Sequence, residues 1–365
     1  MSTLTDGSNF TFTSNSTILH GKTTVFMGGL NGINNTVTIG DAFDQHFPTG
    51  FQANSTNVVT GWQIVPLFFR SSGSLSRNTC LQTHITVDGD GSGRPQYMYD
   101  TGGTYTELYA RYNVKCVIND PNITQFQWKR ERPSQNGTVT DGVGNASVLS
   151  GWYNTPGDSY LTYFNTAGTS QSTWYFGDHG QSDLPNGGDG WFIMETWAVP
   201  NTNPGTANGK YLCRTTNVST GTVTDRLVTG WMPYSNTDSS NYRWWVMQNY
   251  FGNGAGTGVG EYPNVTLYID DLYVSSVATG TGACERVILG NASTIGACTQ
   301  FALCPIVSKS GTDLTVNINK GYLSATTGLY LYEYDSTNTV ITSSGPHSFG
   351  SGGSFKSEFA VGSNQ

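Results

Sequence analysis

The chain has 365 residues, of which 12% are charged and 13% are aromatic. A disordered polar chain is excluded, because so many aromatic rings supply the apolar surface that offsets the entropy lost on folding. The net charge of −8 and the lack of clustered Lys and Arg argue against nucleic acid as a partner. No apolar run of about 18 residues occurs, and the first residues lack the basic and apolar regions of a secretory signal, so neither membrane insertion nor a leader is predicted.

The pattern of apolar residues is that of strands. Nowhere do they recur with the spacing of an amphipathic helix, whereas alternation with period two recurs between clusters of Gly, Asn, Ser and Thr. The longest such segment is 104–115, where Leu108, Ala110, Tyr112 and Val114 alternate with Tyr109, Arg111, Asn113 and Lys115. Further strands are predicted at 125–132, 159–164, 173–176, 191–199, 210–215, 241–251, 264–274, 313–319 and 328–335. The chain is therefore predicted to be all-β.

A change of composition divides the chain. The Gly- and Thr-rich segment 278–283 predicts a linker, and tryptophan does not occur after Trp245. We expect a large domain over 51–277 and a small Ig-like β-sandwich with a flexible tail over 284–365. Residues 1–50 are rich in Thr, Asn and Gly and predict either an extended arm or, as the favoured alternative, edge strands of the first domain.

Several of these strands resemble a known fold. The segment 108–115, followed by the aromatic-rich 126–129, resembles the strands of concanavalin-A-like jelly rolls, especially those of polysaccharide lyases and related carbohydrate-active proteins. The segments 242–251 and 268–274 look like the last strands of the same jelly roll. The resemblance covers roughly residues 50–277 and implies a jelly-roll sandwich. Because jelly rolls serve as lectins, glycosidases, lyases and viral coat proteins, the fold leaves the function open.

Glycoside hydrolysis is not favoured by the sequence. A retaining glycosidase needs two carboxyl groups about 5 Å apart, which on a strand requires acidic residues at alternate positions. The strand at 191–199 offers Glu195 alone, and its neighbours on the same face are Ile193 and Trp197. The paired acids of a glycosidase are therefore not predicted.

A polysaccharide lyase needs less, namely a base that removes the C5 proton and a group that stabilises the substrate carboxylate. Gln82-Thr-His84 resembles the Gln-x-His strand of alginate-lyase-like enzymes. The candidate lyase residues are His84, Arg111, Lys129 and Tyr250. The favoured alternatives are a hydrogen-bonded strand histidine for His84 and a self-paired charge cluster for 129–132.

Binding a glycan without catalysis needs only aromatic platforms and polar partners, because sugar rings have apolar C–H faces and hydroxyl edges. The candidate carbohydrate-binding residues are Trp128, Trp152, Trp197, Trp244 and Gln248. The alternative is that the rings form core or a subunit contact, and at least half of the nine tryptophans are expected to be buried.

Two acidic segments could hold a structural calcium ion, which binds carboxylate and carbonyl oxygens. Asp88 and Asp90 stand at alternate positions of a glycine-rich loop, although a hairpin turn explains the same pattern and is favoured. Asp271 stands where many jelly rolls hold a structural calcium beside the final strand. Asp88, Asp90 and Asp271 are therefore the candidate ligands of a structural calcium ion.

Six cysteines occur without a Cys-x-x-Cys pair, so a zinc site is not predicted. Cys284 and Cys298 bracket a short turn-rich segment and are predicted to form a disulfide bond, with buried free thiols as the alternative.

Together these features favour a non-enzymatic structural or surface protein with a carbohydrate-binding jelly roll, such as a phage head-decoration or fibre component. A polysaccharide lyase acting on an acidic glycan and a secreted lectin remain alternatives. The expected partners are a glycan or polysaccharide and either further copies of the chain or virion proteins. The expected location is the virion surface or the extracellular space.

Overall fold

The computed structural model describes residues 1–14, 23–27, 51–53, 62–63, 68–69, 79–85, 96–100, 104–118, 126–134, 148–155, 158–165, 173–178, 190–203, 206, 208–231, 244–252, 265–350 and 361–362. Nearly all of these residues lie in strands or in the turns between them. The strands are β1 (Ser2–Leu4), β2 (Asn9–Thr13), β3 (Thr23–Met27), β4 (Phe51–Ala53), β5 (Trp62–Gln63), β6 (Phe68–Phe69), β7 (Thr79–Ile85), β8 (Gln96–Asp100), β9 (Glu107–Ile118), β10 (Phe126–Ser134), β11 (Val148–Thr155), β12 (Asp158–Asn165), β13 (Thr173–Asp178), β14 (Phe192–Val199), β15 (Gly209–Asn217), β16 (Val223–Trp231), β17 (Trp244–Gly252), β18 (Val265–Val277), β19 (Arg286–Gly290), β20 (Phe301–Cys304), β21 (Ile306–Ser310), β22 (Asp313–Asn317), β23 (Thr327–Tyr334), β24 (Val340–Phe349) and β25 (Val361–Gly362).

Helix is nearly absent from the described part of the chain. One 3-10 turn spans Ile295–Ala297. Within the same part, no helix is both long and apolar enough to cross a membrane. The predicted all-β class is confirmed, and the ten strands predicted from alternation all occur, with ends displaced by three residues or fewer.

The large domain consists of two antiparallel sheets. The seven-stranded sheet has the order β13-β12-β11-β10-β17-β8-β4, and the ten-stranded sheet has the order β16-β15-β14-β9-β18-β3-β25 with β7 beside β18 and β5 and β6 beside β7. The sheets face each other where the buried Tyr112 ring of β9 meets the buried Trp245 ring of β17, with centroids 6.2 Å apart. This is the predicted jelly-roll sandwich.

The C-terminal module is a second, smaller sandwich. Its five-stranded sheet has the order β1-β24-β23-β19-β20, and its three-stranded sheet has the order β2-β22-β21. One apolar cluster joins the two sheets. In it, Phe12 and Leu314 from the smaller sheet pack against Val287, Ala302 and Leu331 from the larger sheet. A sandwich of this size can bury a core of its own.

The N-terminal residues correct the predicted organisation. The segment 1–50 was expected as an arm or as edge strands of the first domain, and β3 does pair with β18 of the large domain. However, β1 pairs in parallel with β24, and β2 pairs with β22, so both strands belong to the C-terminal module. Pairing over more than 300 residues leaves no local trace in the sequence, which explains the error.

The predicted Cys284–Cys298 disulfide is contradicted, because both thiols are free and buried. Cys298 Sγ lies over Gly290 at the end of β19, whereas Cys284 precedes the first residue of that strand. The five residues of β19 alone span about 13 Å, and a disulfide requires Cα atoms within about 7 Å. The extended strand therefore holds the two cysteines apart.

Mapping of peptides under non-reducing conditions should find Cys284 and Cys298 unlinked. No bond between these two residues then contributes to the stability of the fold. A peptide pair joined through these two cysteines would contradict the structure.

Candidate functional site

The outer face of the ten-stranded sheet is covered by the C-terminal module. Tyr109, Leu212 and Tyr273 of the sheet pack against Ile288 and Leu303 of the module in one apolar cluster. Residues 107–114 of β9 are consequently buried on both faces. The predicted alternation of β9 is confirmed, since Tyr112 faces the other sheet and Tyr109 stacks edge-on against Tyr273.

Glu107 ties the predicted linker to the large domain. One carboxylate oxygen accepts hydrogen bonds from the backbone N–H groups of Gly282, at 2.5 Å, and Ala283, at 3.2 Å. The other accepts a hydrogen bond from Trp197 Nε1. Burial raises the pKa of Glu107 although these donors act in the opposite direction.

Trp197 is therefore not a sugar platform, which corrects its predicted role. The side chain is only 7% exposed, lies in the apolar cluster between the domains and gives its N–H to Glu107. An exposed ring would be needed to stack on a sugar. The sequence shows an aromatic residue on a strand, and only the module that covers this strand makes it core.

Glu195 is the centre of a polar cluster in the same junction. Its Oε1 atom accepts hydrogen bonds from the hydroxyl of Tyr109 and from Arg286 Nη2, the latter at 3.2 Å. Its Oε2 atom lies 3.8 Å from Arg214 Nη1. Arg111 stands directly opposite Glu195 in the β9–β14 register. One carboxylate thus lies among three arginines.

The charge state of Glu195 follows from these neighbours. Burial acts to raise its pKa, but Arg286, Arg214, Arg111 and the hydroxyl of Tyr109 outweigh burial and lower the pKa to about 2. The carboxylate is therefore ionised at neutral pH and cannot donate a proton to a leaving group. Glu195 therefore does not suit the role of the general acid in a glycosidase.

Arg286 joins the two domains. Its guanidinium lies 4.6 Å from the ring centroid of Tyr109 and 4.0 Å from that of Tyr334. Its Nη1 atom donates hydrogen bonds of 2.8 Å to the carbonyl of Cys284 and to Asn338 Oδ1. A planar guanidinium suits this arrangement, because it can stack on rings and donate in its own plane at once.

The candidate lyase residues lie on two different sheets. His84 is paired with Thr266 of β18, and Arg111 lies on the adjoining β9, both in the ten-stranded sheet. Lys129 is paired directly with Tyr250 across β10 and β17 of the seven-stranded sheet. The structure thus brings Lys129 and Tyr250 together and separates them from Arg111, which is buried under the C-terminal module.

The remaining carbohydrate-binding candidates share the seven-stranded sheet. Trp128 is paired directly with Trp152 across β10 and β11. Gln248 and Trp244 lie on β17, the strand on the other side of β10, where Trp244 is opposite Ser134. Trp244 is therefore about 20 Å along the strand from the Trp128–Trp152 pair. Three neighbouring strands carry all four residues.

The carboxylate of Asp271 accepts hydrogen bonds from Asn113 Nδ2, at 3.0 Å, and from Asn319 Nδ2, at 3.4 Å. Calcium prefers six to eight oxygen ligands, and these two neighbours present N–H groups instead. Within the described residues, no group of three or more His, Cys, Asp and Glu could hold a metal ion. Asp271 thus accepts hydrogen bonds from two amide groups, and Asp88 and Asp90 lie outside the described residues.

Chelation tests the calcium prediction for the whole chain. If calcium binds only the folded protein, EDTA lowers the melting temperature and added calcium restores it. The hydrogen bonds around Asp271 predict no contribution from this residue, so an Asp271→Asn variant should respond to EDTA as the unchanged protein does. A response abolished by this substitution would place a metal ion at Asp271 after all.

Arg111 and Glu195 are recognisable as candidate site residues in the sequence, whereas Arg214, Arg286 and Tyr109 are not recognisable there as their partners. Glu195 and Arg286 are 91 residues apart and belong to different domains. Of these contacts, the one with Arg214 is the more local, because Arg214 stands opposite Glu195 in the next strand of the sheet. Arg286 could have been suspected only as a charged residue within the apolar run 283–289.

No protein-family model and no curated protein matches the chain. Among solved structures, a mutant of alginate lyase Aly36B in complex with alginate trisaccharide is 14% identical over 70% of this chain and 98% of that chain, with a TM-score of 0.49. Endo-β-1,4-glucuronan lyase from Trichoderma reesei is 11% identical over 69% and 94% of the chains, with a TM-score of 0.39.

Lectin II from Ulex europaeus is 9% identical over 62% of this chain and 98% of that chain, with a TM-score of 0.31. At such identities and TM-scores, a likeness assigns no activity to the chain. The function has to be argued from the residues described above.

Proposed function

We propose that the large domain is a non-enzymatic glycan-binding jelly roll, and that the chain serves as a structural or surface component such as a virion decoration or fibre protein. The observation that carries the glycan-binding role is the register that sets Trp128 directly opposite Trp152, beside the strand that bears Gln248. Residues directly opposite each other in antiparallel strands are close neighbours on one face of the sheet. Tryptophan and glutamine are residue types that recognise sugars, through the apolar face of the ring and the hydrogen-bonding groups of the amide.

The polar cluster supports binding without hydrolysis. Glu195 is held ionised by three arginines, so it has no proton to give, and Trp197 beside it is core. The surface role rests on the low charged fraction of 12% and on the Thr-, Asn- and Gly-rich N-terminal segment. It is tested separately, by whether the chain co-purifies with virus particles.

Glycan arrays probed at low and high salt test the binding role. A ring stacked on a sugar is insensitive to salt, whereas recognition of acidic sugars by surface cations weakens as ionic strength rises. Binding should persist at high salt and be lost in Trp128→Ala and Trp152→Ala. Trp191→Ala is the matched control, since this half-buried tryptophan precedes β14 in the other sheet. Absence of any bound glycan would contradict the proposal.

A polysaccharide lyase is the second candidate, favoured by the pairing of Lys129 with Tyr250 on adjacent strands. A cation can stabilise the carboxylate of a uronate, and a tyrosine in its phenolate form can take the proton from C5. The electron pair then forms the C4=C5 double bond, the C4–O bond breaks, and the phenol returns the proton to the leaving oxygen. Alginate and glucuronan incubated with the chain would then gain absorbance near 235 nm, and Lys129→Ala and Tyr250→Phe would abolish the gain. A gain that survives both substitutions would exclude this pair as the catalytic residues.

A further inference from the structure

A cleft of about 170 Å³ lies between the ten-stranded sheet and the C-terminal module. Arg111, Arg214, Arg286 and Glu195 line it together with apolar side chains from both domains. The cleft reaches solvent, because Val223 on its rim is 52% exposed and the side chain of Arg214 is 23% exposed. Its apolar lining consists of Ile193, Val223, Ile288, Ile295 and Phe301.

The charges around the cleft do not balance. Three guanidinium groups face two carboxylates, those of Glu195 and of Asp225, which accepts a 2.9 Å hydrogen bond from Arg214 Nη2. Arg286 and Arg214 each contact one of these carboxylates directly. Among the residues that line the cleft, the arginines therefore outnumber the single carboxylate of Glu195.

Arg111 has donor capacity to spare at a terminal nitrogen of its guanidinium, whereas in Arg214 and Arg286 the buried nitrogen without a partner is Nε. Arg111 is only 2% exposed to solvent, and its Nη1 atom is buried without a hydrogen-bond partner. A buried guanidinium N–H with no acceptor destabilises the folded state, because the group loses its water and receives nothing in exchange. Hydrophobic replacement would relieve that cost, so the residue is explained by a ligand that supplies the acceptor.

We propose that this cleft is a binding site for a small carboxylate carried on a compact, partly apolar body, with Arg111 as the principal donor. A carboxylate suits a lining in which arginines outnumber acids, whereas a doubly charged oxyanion would lose more hydration free energy on leaving water for apolar walls. Carboxylate oxygens also fit the paired donors of a guanidinium. The volume is below the roughly 300 Å³ at which pockets for drug-sized ligands begin, so it suits one ring.

Calorimetric titration of the full chain tests the site. The probes are glucuronate and benzoate as carboxylates of different origin, glucose as the neutral control and sulfate as the competing anion. At least one carboxylate should bind, glucose should not, and Arg111→Met should weaken binding roughly tenfold or more, the loss expected for a hydrogen bond to a charged group. Binding of glucuronate alone indicates a uronate as the ligand, and binding of both indicates small organic acids in general.

The variant also separates ligand binding from folding. Arg111→Met should lose the carboxylate while it still unfolds cooperatively well above the temperature of the titration. Its melting temperature should fall only modestly, because Arg111 is one of three arginines that act on Glu195 and its Nη1 atom makes no hydrogen bond. Lys210→Met is the matched control, because this exposed lysine lies on β15 with Arg214 but does not line the cleft. Failure of both carboxylates to bind, binding of sulfate in their place, or binding that Arg111→Met leaves unchanged would overturn the proposal.

The cleft and the aromatic strands are independent sites on different sheets. Trp152→Ala, which tests the glycan role, should leave carboxylate binding in the cleft unchanged. If the unchanged protein bound no glycan but still bound glucuronate, only the proposal that the large domain binds a glycan would be overturned. Loss of the carboxylate in both Arg111→Met and Trp152→Ala would contradict two separate sites and overturn the assignment of the cleft.

Discussion

Glu195→Gln is expected to lower the free energy of unfolding at pH 7 by about 3 kcal/mol. The neighbouring arginines lower the pKa of Glu195 from 4.5 to about 2, and each pKa unit corresponds to about 1.4 kcal/mol. A neutral glutamine leaves the buried Arg286 without its charged partner, which is costly in a desolvated junction. Urea denaturation followed by tryptophan fluorescence gives the free energy directly.

The same substitution changes the response to acid. Because the pKa of Glu195 is lower in the folded state, its stabilising contribution is complete above about pH 4.5 and is lost as the pH falls toward 2. The unchanged protein should therefore lose more stability over this range than Glu195→Gln. Asp225→Asn is the control. The ion pair of Asp225 with Arg214 is partly exposed, so its loss should lower the free energy of unfolding by less than about 1 kcal/mol. If Glu195→Gln and Asp225→Asn lowered the free energy of unfolding equally, the ion pairs of Glu195 would not stabilise the fold as described.

Arg286→Met is expected to destabilise the chain by about 3 to 5 kcal/mol, the range for removing one partner of a buried ion pair. The residue is 2% exposed, contacts Glu195 and stacks between Tyr109 and Tyr334. Arg286→Lys should recover little, because an ammonium lacks the flat guanidinium that stacks on both rings. Thermal and urea unfolding of both variants measure the effect.

Lys320→Met is the matched control for Arg286. Its ammonium lies 5.5 Å from the ring centroid of Phe349 near the surface, where a cation–π contact contributes about 0.5–1 kcal/mol. An Arg286→Met variant as stable as Lys320→Met would show that Arg286 does not hold the two domains together.

The strands and the class of the fold were predictable because their signal is local. Alternation along β9 already distinguishes Tyr112, which meets Trp245, from Tyr109, which faces the C-terminal module. What covers each face was not predictable. In the sequence, Trp197 and Glu195 resemble residues of an open groove. Only contacts with residues some 90 positions later bury Trp197 in an apolar cluster and place Glu195 in an ion pair with Arg286.

The errors have the same physical origin. β1 and β2 join strands more than 300 positions away, so their own composition could not show which domain they complete. The disulfide was inferred from the length of the segment between two cysteines, which ignores that β19 extends that segment. Arg111 was chosen for its charge, but its unpartnered Nη1 atom in a cleft is visible only once both domains are in place.

The most direct test of glycan binding without catalysis is to incubate the chain with each glycan that it binds and to follow absorbance near 235 nm. The proposal predicts that the glycan is bound through the strands that set Trp128 opposite Trp152, and that no unsaturated product accumulates. A steady rise in absorbance that disappears in Lys129→Ala would contradict this account and make the chain a lyase.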